Sequence, residues 1–164
     1  EMSLELNALL TGYANGLSKA GFIQYAKIRE FSKACIERFN VKASGPEAAA
    51  KSLSGGNVQK YIVGRELMLN PEILVIAQPT WGVDVGAASF IRQTLLDLSN
   101  AGVAVLVISE ELDELFEICD RIAVIAAGQL SVAKPVAETS IEEIGLLMGG
   151  AKMASPAQEQ RAAL

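Results

Sequence analysis

The chain contains no histidine. It therefore lacks the usual general base near neutral pH and the commonest metal ligand. Of its two cysteines, Cys35 and Cys119, neither belongs to a Cys-x-x-Cys pair. That excludes zinc and dithiol redox motifs and leaves both as small buried apolar side chains, expected in a reducing compartment. Long apolar runs are missing too. The longest stretches, Ile73–Ala77, Val103–Ile108 and Ile122–Ala127, are strand-length, far below the ~20 residues of a membrane-spanning helix. No basic region followed by an apolar core opens the chain, so nothing reads as a signal peptide. It begins with Glu1 instead of Met, as expected for part of a longer or processed chain. Lys and Arg number 14 against 19 Asp and Glu, for a net charge of −5, and they are not clustered. Nucleic acid is therefore not an expected partner, because counterion release needs grouped cations.

What is present suits one domain or a large piece of one. Of 164 residues, 51% are apolar and 20% charged, enough for a core and too apolar for a disordered chain. Residues 1–45 read as helical with breaks. Ser3 is placed to cap a short helix to about Leu10, Thr11-Gly12 and Asn15-Gly16 interrupt it, and a longer helix is predicted from Phe22 to Phe39 with Ile28, Phe31, Cys35 and Phe39 on one stripe. After the Ser44-Gly45-Pro46 turn, a second amphipathic run carries Val58, Ile62, Leu67 and Leu69 and stops near Asn70-Pro71.

From residue 71 the pattern changes to strand, helix, strand, helix, strand. Ile73–Ala77 shows no alternation, as expected of a strand covered on both faces. A helix is predicted over Gly86–Leu98, a strand over Val103–Ile108, a short acidic helix over Glu111–Ile118, a third strand over Arg121–Ala126, a Gly128 turn with a returning arm at Leu130–Val132, and a last helix over Ile141–Met148. This order spells an α/β fold with a parallel sheet. The segment 151–164, rich in Ala, Gln, Ser and Pro, is expected to be a disordered tail.

Leu53-Ser54-Gly55-Gly56-Asn57 stands at the start of the second amphipathic helix. Ser54 is placed as N-cap, and Asn57 where a capping partner reaches back. A helix N-terminus with free N–H groups attracts anions, and Gly55 and Gly56 present no side chain to block a phosphate. Nothing in the chain matches Gly-x-x-x-x-Gly-Lys-Ser/Thr, the loop that wraps phosphates with a lysine.

Residues 53–57, followed by Gln59-Lys60, resemble the signature motif of ABC ATPases, in the Asn form seen in the second ATP-binding half of simple-sugar and nucleoside importers. Gly82-Val83-Asp84 resembles the D-loop, Ile108-Ser109 falls at the switch position, and Asp120–Val124 followed by Gly128-Gln129-Leu130 resembles the closing strands. The resemblance covers about residues 1–149. It implies part of a P-loop NTPase core with a helical subdomain: residues 1–70 facing membrane subunits, residues 71–150 in the nucleotide-binding core. It also implies a C-terminal part of the second ATP-binding domain. Ser54, Gly55, Gly56, Asn57 and Asp84 would serve an ATP, with Mg2+, held in the full assembly. The implied partners are a second ATP-binding domain, permease transmembrane subunits and a solute-binding protein, at the cytoplasmic face of a bacterial inner membrane.

Where the family's active members carry Asp-Glu before Pro-Thr, this chain has Ala77-Gln78, and Ser109 stands where the resemblance implies a histidine. Alanine cannot hold magnesium, and glutamine cannot take a proton from water. The resemblance thus implies a competent signature and a degenerate catalytic site, inactive alone. Trp81 has two readings, packing at a domain interface or stacking on a base. Two other readings remain open at this point: a non-catalytic interaction module derived from such a domain, and a soluble ABC ATPase.

Overall fold

The computed structural model describes residues 2–150; the tail expected over 151–164 lies outside them. The chain divides into two compact units, one up to Ile108 and one from Ser109.

The first unit opens with α1, Leu4–Gly12, capped by Ser3, whose hydroxyl accepts from Leu6 N–H. The chain turns at Asn15-Gly16 (Gly16 φ +89°) and enters a small hairpin, β1 (Ser18–Lys19) against β2 (Phe22–Ile23). The predicted start of the next helix at Phe22 is therefore corrected: Ala20 and Gly21 hold φ of +51° and +82°, a two-residue turn that pairs Phe22 and Ile23 with β1. Helix α2 follows at Tyr25–Arg38. Helix α3 covers Gly55–Leu67.

One buried polar network ties these three helices. Tyr61 of α3 donates its hydroxyl proton to the Leu4 carbonyl of α1 at 2.7 Å. With that proton used, Ser32 of α2 is the donor in its 2.8 Å bond to the Tyr61 oxygen. Burial pushes the Tyr61 phenol up to about 12 and the neighbouring Cys35 thiol up to about 12. Gly64 lets the Phe39 ring lie directly on α3, since a Cβ there would come within 2.4 Å of it.

Strands β3 (Ile73–Ala77) and β4 (Ala104–Ile108) pair in parallel, Ile73 opposite Ala104 and Ala77 opposite Ile108, joined through α4 (Val85–Asn100). Such a parallel β–α–β unit belongs to α/β folds, as the pattern predicts. The expectation that both faces are covered is corrected. Leu74 is 7% exposed but Val75 is 61%. The register puts Ile73, Val75 and Ala77 on one side with Ala104, Leu106 and Ile108, and all six are exposed. Leu74, on the opposite side, is buried, and helix α4 is in contact with β4. The continuous apolar run is that of a two-sided strand, but among the described residues of this unit only one face is covered.

The second unit contains α5 (Leu112–Ile118), β5 (Arg121–Ile122), β6 (Ile125–Ala126), β7 (Gln129–Leu130), β8 (Lys134–Pro135) and α6 (Ile141–Met148). The third parallel strand expected over Arg121–Ala126 does not form. β5 pairs antiparallel with β8, and β6 with β7 across the Ala127-Gly128 turn. Between the two short strands, Val124 N–H is taken by the Ser131 hydroxyl at 2.9 Å, which breaks the segment into two pairings. Ile122, Val124 and Ile144 form the core of this unit.

Candidate functional site

The N-terminus of α3 is the focus. Ser54 has the extended backbone of an N-cap (φ −66°, ψ 157°), and the first helical bond runs from Val58 N–H to its carbonyl at 3.0 Å. The N–H groups of Gly55, Gly56 and Asn57 precede that bond, so they have no acceptor within the helix ladder. Ser54 and Gly55 are exposed, Gly56 is buried and Asn57 half-buried.

The expected side-chain cap is corrected. Ser54 makes no cap bond to the helix. Its hydroxyl oxygen instead accepts from Asn57 Nδ2 at 2.8 Å, and Asn57 Oδ1 accepts from the backbone N–H of Lys42 at 2.7 Å. Asn57 thus reaches back, as the capping reading had it, but to the serine side chain. It also bridges to a loop fifteen residues upstream.

The two glycines are required from inside the chain. A Cβ on Gly55 would lie 3.0 Å from the carbonyl oxygen of Gly82; one on Gly56 would lie 2.9 Å from Ala87 Cβ and 3.2 Å from Asp84 Oδ2. Their missing side chains let α3 start flush against the 82–87 segment. This brings together the signature-like and D-loop-like residues, eighty-two to eighty-seven against fifty-five and fifty-six. Asp84 caps α4, its Oδ1 accepting from Ala87 N–H at 2.9 Å. Trp81, three residues before Asp84, is 73% exposed.

Ala77 and Gln78 lie elsewhere, at the end of β3. The Ala77 methyl is on the exposed sheet face beside Ile108. Gln78 takes a left-handed backbone (φ +49°) and donates its N–H to the Ile108 carbonyl at 2.7 Å. Neither side chain is an acid, and among the described residues no group of three or more His, Cys, Asp or Glu is placed to hold a metal ion. Ala77 and Gln78 thus offer no carboxylate to a magnesium ion at the end of β3.

Ser109 sits in the second unit. Its hydroxyl donates to Glu114 Oε2 at 3.0 Å and accepts from Glu111 N–H at 3.1 Å. Glu114 is only 2% exposed. Glu114 belongs to the acidic helix expected over Glu111–Ile118, and the i, i+5 spacing from Ser109 alone carries no signal that its side chain turns inward.

The fold has a class among known proteins: part of an α/β ATP-binding cassette. Among solved structures, the dimeric bacterial ABC transporter cassette MJ0796 superposes with a TM-score of 0.67 at 21% identity, over 82% of this chain and 57% of that one. A nucleotide-free ATP-binding cassette from an ABC transporter superposes at 0.64 with 27% identity, over 91% and 60%. In sequence, the chain is 45% identical over 151 residues to the nucleoside import ATP-binding protein NupA of Lactococcus lactis subsp. cremoris, covering 92% of this chain and 30% of that protein. It is 40% identical over 145 residues to the guanosine import ATP-binding protein NupO of Bacillus subtilis, covering 88% and 28%. No protein-family model matches it. The chain belongs to the ABC-transporter ATP-binding proteins. It spans less than a third of the length of these curated relatives.

Proposed function

We propose that this chain is the C-terminal part of the second ATP-binding domain of an importer for a nucleoside or simple sugar, and that it acts by completing an ATP site held mainly by another domain. The observation that carries this reading is the start of α3: an exposed serine and glycine, with helix N–H groups behind them, set flush on the Gly82–Ala87 segment. Such a terminus offers dipole and hydrogen bonds to a phosphate, but with no lysine-bearing loop beside it, it needs a partner to bring the nucleotide.

The chemistry divides accordingly. The partner's phosphate loop would hold ATP with its Mg2+, the metal supplying charge neutralisation at the phosphates. Ser54, with the N–H groups of Gly55 and Gly56, meets the terminal phosphate and stabilises charge that grows as the phosphoryl group transfers. On this chain's own strand, Ala77 offers no magnesium ligand, and Gln78 can orient a water but cannot accept its proton. The open face of β3 and β4 suits cover by the rest of a nucleotide-binding core. Among the described residues no helix is long and apolar enough to cross a membrane. Peripheral attachment through permease subunits, with a solute-binding protein outside, accounts for transport.

Ser54→Arg in the assembled importer tests this. Ser54 is exposed and caps nothing, so folding survives, while a bulky side chain fills the space a phosphate must enter. ATP turnover coupled to transport should fall at least ~100-fold, the scale of losing a preorganised donor. A folded variant that keeps the parental rate removes the assignment.

A further inference from the structure

Asn57 enters the sequence reading as a nucleotide-contacting residue, yet both ends of its carboxamide are engaged within the chain. Lys42 contributes a backbone N–H, which can only donate, so the oxygen of Asn57 faces Lys42 and the NH2 group faces Ser54. The orientation of the amide is therefore set by the partner on its far side. An NH2 group can only donate. It occupies a lone pair of the Ser54 oxygen, and the serine's own proton cannot point toward Asn57.

Resting on the signature reading above, we infer that Asn57 is a positioning residue: it holds the Ser54 hydroxyl by its oxygen, so that the hydroxyl proton is directed outward to the phosphate of the partner's ATP. Three features support this. The Ser54 side chain makes no cap bond with α3 that would use it otherwise. Asn57 is anchored at its other end to a backbone group, so it does not follow the serine as it moves. And Ser54 is exposed, on the side where an incoming anion meets the helix.

The discriminating variant is Asn57→Asp. The carboxylate has the shape of the amide. One oxygen still accepts from Lys42, and the loop keeps its geometry. A negative charge in the first turn of α3 suits the helix dipole. But the second oxygen is an acceptor, so the Ser54 hydroxyl turns its proton inward to it, and the outward donor is lost. A role in loop structure alone leaves Asn57→Asp near the parent. A role through the Ser54 proton makes it resemble Ser54→Ala.

ATP turnover of the assembled importer should be measured, kcat and KM separately, for the parent, Ser54→Ala, Asn57→Asp, the double variant and Asn57→Ala. Ser54→Ala should lower kcat by ~10²–10³. Asn57→Asp should fall to within about threefold of Ser54→Ala, and the double variant should match Ser54→Ala, because the aspartate has no proton left to withdraw. Asn57→Ala frees the hydroxyl without capturing its proton and should fall less than Ser54→Ala, by roughly tenfold; it also serves if the aspartate variant does not fold. A parental kcat for folded Asn57→Asp, or for folded Asn57→Ala, overturns the inference. So does a double variant far below Ser54→Ala, which would mean the new charge repels phosphate directly. If Ser54→Ala itself keeps the parental kcat, the signature reading fails and takes this inference with it. If only Ser54→Ala is slow, the signature stands and Asn57 has no part in aiming the serine.

Discussion

Gly56→Ala adds one methyl group where α3 meets the start of α4. The new carbon would sit 2.9 Å from Ala87 Cβ and 3.2 Å from Asp84 Oδ2. Carbon–carbon contact is comfortable near 3.5–4.0 Å, so something must move by more than half an ångström. Gly56 and Ala87 are both buried, and neither neighbour is the tip of a long side chain. Overpacking of this kind costs about 1–3 kcal/mol. If Asp84 is pushed off Ala87 N–H, a lost cap adds about 1 kcal/mol. Alanine's better helix propensity returns at most about 1 kcal/mol. The net is a destabilisation of roughly 1–3 kcal/mol, or about 2–12 °C in melting temperature for a chain of this size. Circular dichroism melts of Gly56→Ala, Ala87→Gly and the pair provide the assay. Ala87→Gly alone should destabilise through lost helix propensity and burial, yet in the Gly56→Ala background it should recover stability, with a coupling of about 1–2 kcal/mol. Additive effects, or a Gly56→Ala variant as stable as its parent, would refute the close-approach argument for this glycine.

Three further outcomes are expected. The buried Cys35 and Tyr61 are raised from 9.0 and 10.0 to about 12 each. Their neutral forms therefore stabilise the fold fully below pH 9, and that stability, on the order of several kcal/mol, is lost as pH rises from 9 to 12; alkaline melts should show this, with Cys35→Ala delaying the onset to nearer pH 10. Trp81 is the chain's one tryptophan and is 73% exposed, so its fluorescence should resemble free indole in water and shift to the blue when a partner domain covers it; a blue-shifted spectrum from the chain alone would contradict its placement. Calorimetry of the chain with magnesium-ATP should find binding weaker than micromolar, because α3 offers a helix terminus without a phosphate-wrapping lysine loop; a micromolar dissociation constant would overturn that.

Local chemistry made much of the fold legible. Helix α6 falls where Ile141–Met148 was predicted, with Ser140 accepting from Glu143 N–H as its cap. The Gly128 turn and its returning arm form the β6–β7 hairpin. Pairing was less legible. The apolar content of Arg121–Ala126 matches a buried strand, but which strand it joins depends on Lys134-Pro135 and on Ser131, whose roles have no periodic signature. Cover was not legible either, since an apolar run reports what a strand needs on both faces and not which chain segment provides it. At the site, the glycines and serine stand out by type, whereas the reason for the glycines lies in Gly82, Asp84 and Ala87, about thirty residues away. The Lys42–Asn57–Ser54 bridge stayed hidden because one of its partners is a backbone group, which every residue carries.

The central claim is that Ser54 meets a nucleotide held by another domain. The most direct measurement is ATP-dependent cross-linking between Ser54→Cys and a cysteine placed in the phosphate loop of the partner domain, in a Cys119→Ser background, with the buried Cys35 left in place. The account predicts a disulfide that forms when ATP brings the two domains together and is absent without nucleotide. A cross-link indifferent to ATP, or none with ATP bound to the assembled importer, would contradict it.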